Sequence, residues 1–221
     1  MKKVVIVNGS PRKNGNTAAL CDAFQEGVRS VGEGTEIRRF DLNDFSFKGC
    51  QSCFSCKLKN GNGYGRCSLK DDLSRILEEI SDADCLVVAS PIYLMDVSAA
   101  TKAFLERLCF SLATYESGYR SLASGKTDVV TIYTMNTTSD YSPVHAMDNI
   151  DMFLGHVFTV PQRICAYNTY QFRDYSKYVV EVFSEEAKRA YREKHWAEDV
   201  NRAYSLAREI VIKRQGSEKS L

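Results

Sequence analysis

Lys3-Val4-Val5-Ile6-Val7-Asn8-Gly9-Ser10-Pro11-Arg12-Lys13-Asn14-Gly15-Asn16-Thr17 is the stretch on which the reading of the fold turns. Its first six residues are a short β-branched run closed by a turn signal, the pattern of a buried strand. Beyond the polar turn, Leu20, Phe24, Val28 and Val31 recur at helical spacing, with Asn16 or Thr17 placed to cap the start and Gly32 to stop the helix. The turn therefore leads into a helix N-terminus, where unpaired backbone N–H groups and the positive end of the helix dipole favour an anion. Ser10, Asn14, Asn16 and Thr17 add donors, and Arg12 adds a charge-assisted contact of up to about 3 kcal/mol. A monophosphate fits this chemistry; a solvated turn with ordinary helix capping is the plainer alternative.

Two other phosphate-binding patterns are excluded by spelling. Gly15-Asn16-Thr17 lacks the lysine of a Walker A loop. The dinucleotide fingerprint needs three spaced glycines, whereas only Gly9 and Gly15 occur in the turn and no glycine is expected to pack inside the following helix.

Outward from this unit, strands and helices alternate. Thr35 to Leu42 reads as a second, weaker strand, Asp71 to Ile80 as a helix, and Asp84 to Ala89 as a third strand buried on both faces. A loop, Ser90 to Met95, precedes an amphipathic helix marked by Ala100, Phe104, Leu108 and Leu112. Thr127 to Tyr133 is a fourth strand, followed by the polar loop Met135 to Ser139. Phe158 to Tyr167 is a fifth, which Pro161 assigns to an edge. Val200, Ala203, Ala207 and Ile210 mark a last helix, and Gly216 to Leu221 reads as a frayed tail.

Each right-handed crossover must lay its helix on a face of a parallel sheet, so the expected class is α/β: a doubly wound three-layer sandwich with a central five-stranded parallel sheet. Ligands of such sheets bind beyond the carboxyl ends of the strands, which singles out the turns Gly9 to Thr17, Ser90 to Met95 and Met135 to Asp140. With 221 residues and no linker signal, the whole chain is expected to form one domain. A cysteine-rich insertion at about 47–70 and a C-terminal helical extension at about 176–215 stand apart from the alternating pattern.

A hydrophobic share of 44% supports a sizeable core, and a formal net charge of +1 gives no field that steers toward nucleic acid or an anionic membrane. Val4 to Val7 is too short for a secretory apolar region, and no later run approaches the roughly 20 apolar residues of a membrane span. A cytoplasmic protein is expected, and there eight cysteines point to metal or redox chemistry before disulfides. Cys50-Gln-Ser-Cys53-Phe-Ser-Cys56 is a C-x2-C-x2-C run, and Cys67 follows after ten residues that include Gly61, Gly63 and Gly65. Four thiolates hold a 4Fe-4S cluster or a single zinc, and the triple run favours the cluster over zinc. Unmetallated thiols remain an equal alternative. Cys21, Cys85, Cys109 and Cys165 sit singly in apolar patterns and read as buried hydrophobes, while His145, His156 and His195 have no ligand spacing.

The phrase Gly9 to Thr17, taken with Ser90-Pro91-Ile92-Tyr93, resembles the flavodoxin-like NADPH-dependent FMN reductase family, and the cysteine segment resembles its iron–sulfur flavoprotein branch. The similarity is strongest over the first half of the chain. It implies FMN as cofactor, its phosphate held by Ser10, Arg12, Asn14, Asn16 and Thr17, and its ring lying against Pro91, Ile92, Tyr93, Leu94 and Met95. By topology, Met135, Asn136, Thr137 and Thr138 are assigned to the ring's pyrimidine edge; core packing is the alternative for Ile92, Tyr93 and Leu94. The branch keeps its fourth cysteine nearer the third, which leaves the ligand role of Cys67 open beside Cys50, Cys53 and Cys56.

The function expected is hydride transfer from NADH or NADPH to FMN and on to a small acceptor such as a quinone, nitro or azo compound, with the chemistry carried by the flavin and no acid or base required of the protein. An electron carrier coupling FMN to a 4Fe-4S cluster and a ferredoxin-like partner is the second reading. A zinc-stabilised binding protein is the third. Assembly as a homodimer or homotetramer is expected, with the aromatic segment Tyr167 to Tyr178 and the last helix as candidate contacts.

Overall fold

The computed structural model describes residues 1–123 and 126–218. Strand β1 (Lys3–Asn8) is buried at every position, as its unbroken apolar run requires. It lies between β2 (Glu36–Asp41) and β3 (Cys85–Tyr93), and the parallel sheet continues through β5 (Asp128–Thr134) to β6 (Gln162–Ala166). The spatial order β2-β1-β3-β5-β6 reverses direction between β1 and β3. That reversal is the switch point of a doubly wound sheet. The five parallel strands match the expected architecture, and a two-residue strand, β4 (Asp96–Val97), is added antiparallel to the end of β3.

Alternation along the strands divides the core. Val4 and Ile6 face a layer built by α1 (Asn16–Val31) and α5 (Glu185–Glu218), with Phe24, Val28, Ala207 and Ile210 in contact. Val5 and Val7 face the opposite layer, formed by α2 (Asp72–Ile80), α3 (Ala99–Leu112) and α4 (Val144–Val157). Each fully buried aliphatic side chain here contributes about 1.5–3 kcal/mol.

Several boundaries differ from those read in sequence. Strand β3 continues through Ser90, Pro91 and Ile92 to Tyr93, where a loop was expected. Pairing with β1 stops at Ala89 while pairing with β5 runs on to Pro91, so the proline sits at a local edge where its missing N–H leaves no ladder bond unmade. Gly15, not Asn16 or Thr17, caps α1, because both of those side chains are engaged elsewhere. Gly32 does close the helix, its N–H reaching Val28 O at 2.7 Å.

Gly27 corrects a further expectation: a glycine does pack inside α1. A Cβ there would lie 2.3 Å from Tyr204 O and 2.8 Å from Ala207 Cβ, so glycine lets α1 and α5 approach closely. Residues 144–157, given no element in sequence, form α4 and bury Met147, Ile150, Leu154 and Val157. The last helix runs through Glu218; the remainder of the expected tail, 219–221, lies outside the described residues.

Candidate functional site

The turns after β1, β3 and β5 meet at one end of the sheet. Gly9 N donates to Ala89 O at 2.8 Å, tying the first turn to β3, and the hydroxyls of Thr17 and Thr134 lie 2.7 Å apart, tying α1 to the end of β5. Gly9 is required by close approach. A Cβ on it would sit 1.8 Å from Thr101 Oγ1, and its carbonyl accepts a hydrogen bond from Ser98 Oγ at 2.8 Å.

Beyond Gly9 the turn is held by its own polar groups. Ser10 N donates to Asn8 Oδ1 at 3.0 Å, Arg12 N to Ser10 Oγ at 3.2 Å, and Gly15 N to Arg12 O at 3.1 Å. Ala19 N then donates to Gly15 O at 3.0 Å, which leaves the amides of Asn16, Thr17 and Ala18 without partners inside the helix. No side chain caps them and no acidic residue lies in the first turn. An anion meets free donors and an unopposed helix dipole there.

A cleft of about 770 Å³ opens beside that helix end, lined by Arg12, Asn14, Asn16, Phe172, Tyr178 and Arg192 among others. Both arginines are steered by neutral acceptors: Arg12 donates to Gln171 O at 2.7 Å and Arg192 to Asn16 Oδ1 at 3.1 Å. Their charge is therefore not spent on a carboxylate within the turn. Lys13 differs, being paired with Asp44 at 2.8 Å, a contact that raises its pKa. Phe172 and Tyr178 stack at 4.1 Å, so the aromatic segment finds its first partners within the chain.

The residues assigned to a planar ring divide into two groups. Pro91 is buried, and of the three residues with a core-packing alternative only Ile92 packs on the core. Tyr93, Leu94 and Met95 instead project from the hairpin joining β3 to β4, and Leu94 is fully exposed. Leu94 and Met95 both adopt left-handed backbone, φ 49° and 64°, a conformation that suits a tight hairpin but strains residues other than glycine.

In the third turn, Met135 is sunk in the core with its N–H on Ala166 O at 3.0 Å, and is not free to meet a ligand. Asn136 is different. Its Oδ1 is buried without a hydrogen-bond partner, a costly state that a ligand donor would relieve. Thr137 O accepts from Asn168 N at 2.8 Å, and Thr138 is exposed. Free amides, an exposed apolar hairpin and an orphaned acceptor fit a phosphorylated planar cofactor with hydrogen-bonding edges.

The cysteine segment lies on α3. Cys50, Cys53, Cys56 and Cys67 line one small pocket with Phe54, Ser68, Leu69 and Arg107. The ten-residue gap is folded back by Gly65, at φ 77° with its N–H on Cys56 O at 3.0 Å. Arg107 is the anchor. Its guanidinium is fully buried, paired with Asp71 at 2.6 Å, and donates to Cys67 Sγ at 3.2 Å, Lys48 O at 3.2 Å and Leu69 O at 3.1 Å. Glu106 accepts from Cys50 N at 3.2 Å, and Lys57 Nζ bonds to the carbonyls of Phe110, Ser111 and Ala113 at the end of α3.

The four thiols share one pocket, but among the described residues no three His, Cys, Asp or Glu are placed to hold a metal ion. Hydrogen bonding to Ser68 and Ser55 lowers the Cys53 thiol to about 7, while burial raises that of Cys56. Burial also holds Cys21 and Cys109 up at about 12, in keeping with inert core residues. Arg107, Glu106, Lys57 and Arg192 escaped sequence reading because each acts across 50 or more positions or from an unmarked helix face; the stripe Phe104-Leu108-Leu112 identifies only the core side of α3.

An iron-sulfur flavoprotein of Archaeoglobus fulgidus is 36% identical over 105 residues, covering 48% of each chain. The chain spans about half the length of the curated relatives it matches. Among solved structures, an NAD(P)H:quinone oxidoreductase from Methanothermobacter marburgensis superposes with TM-score 0.66 at 16% identity, covering 95% of this chain and 96% of that one. An FMN-dependent NADH-azoreductase from Bacillus anthracis, in complex with FMN, gives 0.64 at 15% identity over 96% and 99%. These two likenesses establish the flavodoxin-like fold. The family model for NADPH-dependent FMN reductases matches residues 2–163, and the chain belongs to that family.

Proposed function

We propose that the chain is an FMN-dependent NAD(P)H oxidoreductase that passes reducing equivalents to a small acceptor of the quinone, azo or flavin class. The observation that carries this is the uncapped N-terminus of α1, free of carboxylates, at the switch point beside two exposed turns. The amides of Asn16, Thr17 and Ala18 bind the phosphate, with Ser10, Asn14 and Arg12 around it. Tyr93, Leu94 and Met95 orient the ring from one side and keep water from it; the Asn136 to Thr138 turn meets its polar edge. Bound FMN supplies hydride acceptance and delivery, so no acid or base is demanded of the protein.

FMN family membership and the FMN-bound azoreductase neighbour support this reading. No helix among the described residues is long and apolar enough to cross a membrane. Two steps test it: titration with FMN and riboflavin, then NADH or NADPH oxidation with a supplied quinone. An Arg12→Ala, Thr17→Val pair weakens FMN far more than riboflavin if the phosphate role is right; equal losses reject it.

A second reading is favoured by one further observation, the convergence of Cys50, Cys53, Cys56 and Cys67 on a single pocket. In that reading a 4Fe-4S cluster makes the chain an electron carrier that exchanges electrons with a ferredoxin-like protein. Iron and acid-labile sulfide in anaerobically prepared protein, both lost in Cys53→Ser, support the carrier. Zinc in their place supports the third expectation, a metal-stabilised binding protein. Assembly as a homodimer or homotetramer, covering the exposed hairpin, is read by sedimentation.

A further inference from the structure

Lys188 is 2% exposed and lies in the first turn of α5, where the helix dipole disfavours a cation. Its ammonium has three neighbours, all neutral. It donates to Asn136 O at 3.0 Å and to Asn168 Oδ1 at 2.7 Å, and it sits 4.6 Å from the centre of the Phe183 ring. Glu185, three positions earlier, is engaged with Tyr170 and Arg189, and no ion pair joins Lys188 to Glu185 or Glu186. A buried charge is ordinarily matched by a carboxylate, because desolvation otherwise costs several kcal/mol. Burial lowers the Lys188 pKa only to about 8, so the group stays charged at neutral pH.

The two acceptors place this charge under the third turn of the candidate site. Asn168, in left-handed backbone at φ 47°, donates its N–H to Thr137 O at 2.8 Å, and Thr169 N donates to Met135 O at 2.9 Å. Lys188 thus clamps residues 135–137 to 168–169 through Asn136, whose own Oδ1 is the buried acceptor left without a partner. A cation held without a counter-charge beside an unfinished binding edge gains most when the ligand itself carries negative charge.

We infer that Lys188 is a positioning residue for the flavin: it fixes the Asn136 turn against the ring's pyrimidine edge and, as a cation that has no counter-charge in the protein, favours the reduced, negatively charged flavin over the oxidised one. This rests on the FMN reading above. Electrostatic stabilisation by a preorganised charge needs no contact with the reacting atoms.

The test compares FMN-loaded wild-type protein with Lys188→Met and Lys188→Arg, reading the midpoint potential of the flavin and, without flavin, the hydrogen-exchange protection of the Asn168 amide. In Lys188→Met the preference for reduced over oxidised FMN falls at least tenfold, a shift of about 30 mV to more negative potential, and the amide loses protection. Lys188→Arg keeps a potential near that of the wild type. Should Lys188→Met fail to fold, Lys188→Gln against Lys188→Arg makes the same comparison, since both keep donors and only arginine keeps the charge. Equal potentials in all variants overturn the inference while leaving the FMN reading intact. Wild-type protein that takes up no FMN overturns both.

Discussion

The turn after β1 and the cysteine segment are both irregular and polar, and both join short-range bonds to remote ones; they differ in the anchor, neutral groups in the first and a buried guanidinium in the second. In the first, Asn8, Ser10, Arg12 and Gly15 bond to one another within a few residues, and neutral groups tie the turn to the rest of the fold, Gly9 N donating to Ala89 O and Ser98 Oγ to Gly9 O. The second has short-range bonds too, among them Lys57 N to Phe54 O and Gly65 N to Cys56 O. It is fastened to one face of α3 by Glu106, Arg107 and the carbonyls of Phe110 and Ser111, more than 35 positions away. Neutral hydrogen bonds complete the first turn, whereas the second also leans on a remote buried charge.

That contrast breaks most sharply at Arg107. Replacing it with methionine removes the guanidinium from Cys67, Lys48 and Leu69 and leaves Asp71, which still accepts from Leu73 N, without its cation, so stability should fall by about 3 kcal/mol in urea unfolding. The cysteine segment should lose order while the remaining folded protein keeps its FMN affinity. Unchanged stability would mean that the segment shapes itself after all.

Gly9→Ala probes the other side. The new Cβ meets Thr101 Oγ1, and overpacking of this kind costs about 2 kcal/mol. Here the loss of FMN affinity, followed by fluorescence quenching, should be large and the thiol reactivity of Cys53 unaltered. Thr17→Val cuts the hydroxyl pair with Thr134 and strands a buried oxygen, at a cost of about 1.5 kcal/mol in thermal or chemical unfolding.

A smaller effect appears with pH. Lys188 titrates at about 8 in the folded chain against its ordinary 10.5, so the unfolded chain binds more protons between these values and stability rises with pH across that window. From pH 8 to 9 the gain is about 1 kcal/mol relative to Lys188→Met. A gain of the same size in the variant would assign it to other groups.

Much of the sheet was legible because β1, β3 and β5 are short apolar runs between turn signals, and the α1 stripe repeats at helical spacing. Strand β3 was read short because Ser90 and Pro91 look like loop residues, and only the pairing of neighbouring strands shows that the proline stands at a local edge. The α4 stripe Met147, Ile150, Leu154 and Val157 was present but diluted by apolar residues on its other face, including exposed Met152 and Phe153. In the site, the types of residue around the first turn carried the chemistry. Lys188 and Arg192 carried no sign of theirs, since a lysine or arginine in a charged helix looks solvated until the fold buries it.

The free amides at the start of α1 are expected to grip the phosphate of FMN. Calorimetric titration of the intact chain with FMN and with riboflavin tests it most directly. One FMN per chain should bind saturably, and riboflavin at least tenfold more weakly. No uptake of FMN, or equal affinity for the two, would contradict the account.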